Sequence, residues 1–188
     1  MKKLILASAS PRRREIFEKL GLTFEIKPSS KEPPMRENED VEAAVLNSAK
    51  TKAQDIFSKN PDALVVGADT VVTLFGKALG KPKDEKDAVN MLKTLSGNKH
   101  TVMTGVYVIS SEEESGFVEK TEVEFFKLSD KEIEDYVKSG ECMDKAGAYA
   151  LQGGALHFVK GICGDYYNVV GFPAARFVRT YERQLKND

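Results

Sequence analysis

Leu4-Ile5-Leu6-Ala7-Ser8-Ala9-Ser10-Pro11-Arg12-Arg13-Arg14 packs a strand, a tight turn and a helix start into residues 4–14. The apolar run Leu4 to Ala7 has the length and continuity of a buried strand. Pro11 suits the first position of a helix, with Ser10 as its N-cap. Ile16 and Leu20 continue at helical spacing, and Gly21 supplies the stop. A helix start presents unpaired backbone N–H groups and a partial positive charge, so it favours anions. Arg12, Arg13 and Arg14 put three more positive charges in that first turn. Each costs roughly 0.3–1 kcal/mol when exposed at the dipole's positive end. A phosphate would offset that cost, and a solvated basic turn accounts for the same residues equally well.

The 188 residues form one domain, or one domain with two lobes around a central cleft. Hydrophobic residues make up 41% and charged residues 30%, the composition of an ordinary globular protein. A formal net charge of −1 gives no global basic field, which argues against nucleic acid and anionic membrane as partners. The apolar runs fall short of a membrane span, and no signal-peptide core precedes the first polar residues. Cys142 and Cys163 lack metal-ligand spacing and read as reduced thiols of a cytoplasmic protein.

Beyond the first helix, Phe24 to Lys27 reads as a strand leading into a polar loop, Pro28 to Asp40. That loop carries Glu32, Glu37, Glu39 and Asp40 and is stiffened by Pro33 and Pro34. Val41, Val45, Ala49, Ala53 and Ile56 recur at helical spacing within 41–59. Ala63 to Ala68 is a buried strand ending at Asp69-Thr70, followed by extended chain over Val71 to Phe75. A helix is expected over Asp84 to Leu95. His100–Ser110 and Phe117–Leu128 form a hairpin around an acidic turn. Ser129-Asp130-Lys131-Glu132 is a capping box opening a helix to Ser139. Gly147 to Gly171 reads as short strands and turns, and Pro173 opens a final helix to about Lys186. The alternation predicts an α/β protein with a mixed sheet flanked by helices.

Asp69, at the carboxyl end of an apolar strand, occupies the place where α/β sheets bind ligands. A carboxylate between two apolar runs needs a cationic partner, a metal or solvent. Lys52, Lys77 and Lys81 are candidate phosphate partners, although single lysines are more often solvated. Gly76 to Pro82 resembles a P-loop only superficially, since the glycine spacing is short and proline replaces Ser/Thr. His100 and His157 are too few for a histidine metal site, which leaves hard oxygen ligands and points to Mg²⁺ or Mn²⁺. Asp144 to Gly153 is dense in small residues that permit close approach to a flat ligand. Gln152 offers a donor and an acceptor that fit uracil, thymine or, with the amide flipped, cytosine. Tight local packing explains the same stretch.

Taken in order, these motifs resemble the Maf family of nucleoside triphosphate pyrophosphatases, linked to septum formation. The landmarks are Ala7-Ser8-Ala9-Ser10-Pro11-Arg12-Arg13, Gly67-Ala68-Asp69-Thr70-Val71-Val72, Gly80-Lys81-Pro82, Ser96-Gly97 and Thr104-Gly105-Val106. Gly140-Glu141, Asp144-Lys145-Ala146-Gly147-Ala148-Tyr149, Gln152-Gly153 and Asn168-Val169-Val170-Gly171 follow. Cys142 stands where proline is common, and Lys31 where the family often carries an acidic residue.

The resemblance implies an elongated α/β fold like that of the inosine-triphosphate pyrophosphatases, a divalent cation and a homodimer. It also implies cleavage of dTTP, UTP and modified uridine triphosphates to the monophosphate and pyrophosphate. By resemblance, Asp69 is the catalytic proton acceptor, and Arg12, Thr70 and Gln152 match the specificity trio of the dTTP/UTP branch. For the mechanism, Asp69 and Glu32 are expected to hold the metal, and Ser8, Arg13, Lys52 and Lys81 the phosphates. The rival reading is a nucleotide-binding regulator of division with little turnover. The joint presence of Asp69, Lys52 and Lys81 argues against it.

Overall fold

A computed structural model describes residues 2–34 and 39–186, so Glu37 of the acidic loop lies outside the described residues. The elements in chain order are β1 (Leu4–Leu6), α1 (Pro11–Lys19), β2 (Glu25–Ile26), α2 (Val41–Phe57), β3 (Leu64–Leu74), β4 (Lys77–Leu79) and α3 (Glu85–Leu95). Then come β5 (Lys99–Ile109), β6 (Glu114–Phe125), α4 (Asp130–Lys138), β7 (Val159–Cys163), α5 (Tyr166–Val170), α6 (Ala174–Thr180) and α7 (Glu182–Lys186). The strands make a mixed seven-stranded sheet in the order β2-β1-β3-β5-β6-β7, with β4 also on β3. β1 runs parallel to β2 and β3, whereas β4 is antiparallel to β3 and β7 to β6. This is the α/β architecture that the sequence pattern predicts. No helix of the described residues is long and apolar enough to cross a membrane.

The chain divides into two compact units, Met1–Asp69 with Thr104–Glu119 and Gly171–Asp188, and Thr70–Met103 with Lys120–Val170. In the first, Ile5, Val65, Tyr107 and Ile109 pack with Ala49, Ala53 and Ile56 of α2. Leu4, Leu6, Leu64 and Val66, of the opposite strand parity, are buried too, so this part of the sheet is covered on both faces. Phe17 of α1 meets Phe172 at 4.9 Å and Phe177 of α6 at 5.6 Å between ring centroids. The second unit buries Leu92 and Leu95 of α3 and Ile133 and Val137 of α4 against Val102, Val123 and Phe125.

Several expectations need correction. β3 does not stop at Asp69 but runs unbroken from Leu64 to Leu74. The paired, part-exposed carboxylate lets the strand continue through it. The strand expected over Phe24 to Lys27 shrinks to Glu25–Ile26, and β6 starts at Glu114, tightening the hairpin turn. The glycine-rich region holds one strand, β7, and is otherwise short 3-10 turns with helix α5. Gly147 and Ala148 have φ of 69° and 61°, a left-handed conformation that no strand accommodates. The final helix breaks at Tyr181, whose ring lies by Phe117 and Phe177 and whose hydroxyl donates to the Ser115 carbonyl at 3.1 Å. Ser10 takes the N-cap place without a side-chain cap; Ser8 Oγ instead accepts from the Ser10 N–H at 3.3 Å.

His100 is buried in the second unit, edge-on to Phe125 and bonded through Nε2 to the Tyr149 hydroxyl at 2.8 Å. Nδ1 is buried with no hydrogen-bond partner among the described residues. Burial pushes the imidazole down from 6.5 to about 4. An unfolded chain takes up this proton near 6.5 and the folded one only near 4, so stability falls as pH drops through that window. The shift corresponds to about 3 kcal/mol at its lower end. We expect the urea midpoint of wild type to fall relative to that of His100→Phe as pH falls from 6.5 to 4. A constant difference would show that the buried imidazole contributes nothing to acid sensitivity.

Candidate active site

Gly67 and Asp69 lie two residues apart on β3 and therefore share a face of the strand. A Cβ at Gly67 would stand 2.2 Å from the Ala49 carbonyl oxygen and 2.8 Å from the Ala53 nitrogen. Helix α2 thus rests directly on the glycine backbone. Gly105 of β5 meets the same helix, with a Cβ there 2.6 Å from the Val45 carbonyl oxygen. This approach carries Lys52 of α2 to Asp69, where Nζ donates to Oδ1 at 2.9 Å. The same Nζ lies 3.4 Å from Glu32 Oε1. The Lys52 side chain is 12% exposed, Asp69 28% and Glu32 66%, so the lysine is the enclosed member and Glu32 reaches it from the surface.

Asp69 does not mark the end of its own strand. It lies beyond the end of β1, whose register with β3 closes at Leu6 and Val66. Past that point the chain leaves β1 through Ser8 and enters α1, whose first turn is basic and carries no acid. Arg13 is buried there. Nε donates to the Gly171 carbonyl at 2.9 Å, and Nη1 to Ser8 Oγ and the Ala68 carbonyl, each at 3.0 Å. Burial pushes this guanidinium down from its ordinary value, against the pull of the Asp69 carboxylate. Arg13 therefore keys the Ser8 turn to the residue preceding Asp69, a role its place in a run of three arginines does not reveal. Arg12, one residue earlier, is half-buried.

The remaining sequence-predicted residues belong to the second unit. Thr70 follows Asp69 on β3 and is half-buried, while Lys81 is exposed beside buried Pro82. The Gly80 carbonyl accepts the Gly147 N–H at 3.0 Å, tying the Gly80-Lys81-Pro82 turn to the segment before Gln152. Gln152 is exposed in the turn after Ala150, whose N–H is held by the Tyr136 hydroxyl at 3.0 Å. Glu141 accepts the Gly154 N–H at 2.8 Å and lies where a Gly153 Cβ would stand. Glu141 supports the Gln152 turn from eleven residues back, and nothing in its local spacing announces that.

The described residues contain no group of three or more His, Cys, Asp or Glu able to hold a metal. They do bring two carboxylates, Glu32 and Asp69, to one ammonium group. Mg²⁺ commonly uses one or two carboxylates and takes its other ligands from water and substrate phosphates. The two carboxylates fit that mode, not an all-protein cage.

A family model described as Maf-like protein matches residues 3–184. A Geobacillus sp. (strain WCH70) protein named dTTP/UTP pyrophosphatase is 50% identical over 183 residues, covering 97% of this chain and 98% of that one. Another of that name, from Bacillus pumilus (strain SAFR-032), is 47% identical over 182 residues, covering 97% and 96%. Among solved structures, the Staphylococcus aureus Ham1 protein is similar at 15% identity and a TM-score of 0.45, over 66% of this chain and 72% of that one. The ordered motifs and the near full-length match to the family model agree, and the chain belongs to the Maf-like protein family.

Proposed function

We propose that this chain hydrolyses dTTP and UTP at the inner anhydride, releasing the nucleoside monophosphate and pyrophosphate. The names of its relatives support the substrates. Within the molecule, the observation that carries the reading is Lys52 held between Asp69 and Glu32. Phosphoryl transfer requires charge neutralisation and an aligned nucleophile more than covalent help from the protein.

Asp69 accepts a proton from the attacking water. The water oxygen joins a phosphorus of the inner anhydride, the bridging P–O bond breaks, and pyrophosphate leaves. Glu32 and Asp69 would hold Mg²⁺ or Mn²⁺, which when bound neutralises phosphate charge and makes a coordinated water more acidic. Lys52 and Lys81 supply cations to the phosphates. Ser8 and Arg13 shape the turn and the α1 start whose N–H groups face the anion. Arg12, Thr70 and Gln152 read the base, with the Gln152 amide matched to the N3–H and O4 edge of uracil or thymine.

Pyrophosphate release across a panel of nucleoside triphosphates, with and without Mg²⁺, tests this. One methyl is worth about 1–3 kcal/mol in a pocket, so dTTP and UTP are both expected to turn over, within about 200-fold in kcat/KM. Binding without pyrophosphate release would overturn the reading in favour of a regulator.

A further inference from the structure

Asp55 lies on α2 three residues after Lys52, on the same helix face. Its side chain is only 5% exposed. Oδ2 accepts the Ser29 hydroxyl at 2.7 Å, and Oδ1 lies 3.1 Å from Lys59 Nζ and 3.5 Å from Lys31 Nζ. Ser29 Oγ in turn accepts the Lys31 N–H at 3.0 Å, closing a local turn immediately before Glu32. The Ser29 and Lys59 bonds, followed by the two lysine charges, hold the carboxyl below its ordinary range.

A buried carboxylate is costly to desolvate, and nothing about the stability of a helix surface requires one. What this one does is fasten a segment from another part of the chain. Residues 29 and 31 are tied to α2 at Asp55, and the next residue, Glu32, meets α2 at Lys52, one turn away. Anchor and target share one rigid helix, so fixing the first sets the second. Lys31, one of the two departures from the family pattern, is used here as an Asp55 partner.

We infer that Asp55, with Ser29 and Lys31, is a positioning residue that delivers Glu32 to Lys52 and Asp69. The inference rests on the proposal that Glu32 serves the hydrolysis.

Ser29→Ala and Asp55→Asn, each made in wild type and in a Glu32→Gln background, provide the test. Both should lower kcat for dTTP about tenfold in wild type, in the range of supports that orient a ligating side chain. The loss should disappear in the Glu32→Gln background, because the anchor acts only through that carboxylate. Amide exchange at Lys31 and Glu32 should accelerate in both variants while α2 amides stay protected. Three results would overturn the inference: unchanged exchange at these amides, wild-type kcat in both variants, or an equal kcat loss in the two backgrounds. Wild-type turnover by Glu32→Gln itself would remove Glu32 and this anchor together, leaving Asp69-based hydrolysis untouched.

Discussion

Asp69→Asn is expected to leave the fold standing and to lower pyrophosphate release by at least about a hundredfold, the scale of losing the general base that we propose it to be. The substitution is close to isosteric, so no cavity forms, and the enclosed Lys52 ammonium keeps Glu32 as a carboxylate partner. Asparagine can still accept from Lys52 through its amide oxygen. It cannot take a proton from water, and it brings no negative charge to a cation. Thermal unfolding and a nucleotide-binding titration should therefore stay near wild type while kcat collapses. Substantial residual turnover would remove Asp69 from the centre of the mechanism. A large fall in melting temperature would instead make it structural.

Gly67→Ala has the largest expected effect on stability. The added methyl would stand 2.2 Å from the Ala49 carbonyl oxygen, and that neighbour is helix backbone, which cannot swing aside like a side chain. Overpacking a tight contact costs about 1–3 kcal/mol, and a backbone clash belongs at the upper end. For a chain of this size about 3 kcal/mol lowers the melting temperature by about 6–12 °C. Relief requires α2 to lift from β3, which draws Lys52 away from Asp69. Activity measured well below the lowered melting point should fall as well. An unchanged melting temperature, read by circular dichroism, would show that the helix does not bear on this glycine.

Local rules made much of this architecture legible. The Ser10-Pro11 junction, the α2 periodicity and the Ser129 capping box appear where their residues place them, and the hairpin forms with its second strand starting three residues early. Each depends on neighbours within a few positions. Gly67 was legible in kind, since an isolated glycine in a strand signals close backbone approach. The partner it admits was not. Arg13 looks like its two neighbours in sequence, yet its acceptors lie 5, 55 and 158 residues away. Asp55 reads as one more helix-surface acid beside a lysine, because its serine partner comes from a loop with no periodicity. The unbroken length of β3 was hidden by a charged residue that propensity alone treats as an end. The final helix breaks because Tyr181 is drawn toward Phe117 and Ser115, partners that only the folded chain brings near.

The unit that holds Asp69 and Lys52 is assembled from three separated stretches, the last beginning at Gly171. On a ribosome the first 69 residues emerge with their strands and helices in order, but the acceptor for Arg13 Nε is still unmade. Until the closing stretch leaves the exit tunnel, that guanidinium lacks its most distant partner and Phe17 lacks Phe172 and Phe177. Contacts so remote along the chain form late and slowly. The first unit can therefore close only once the stretch from Gly171 onward has been made.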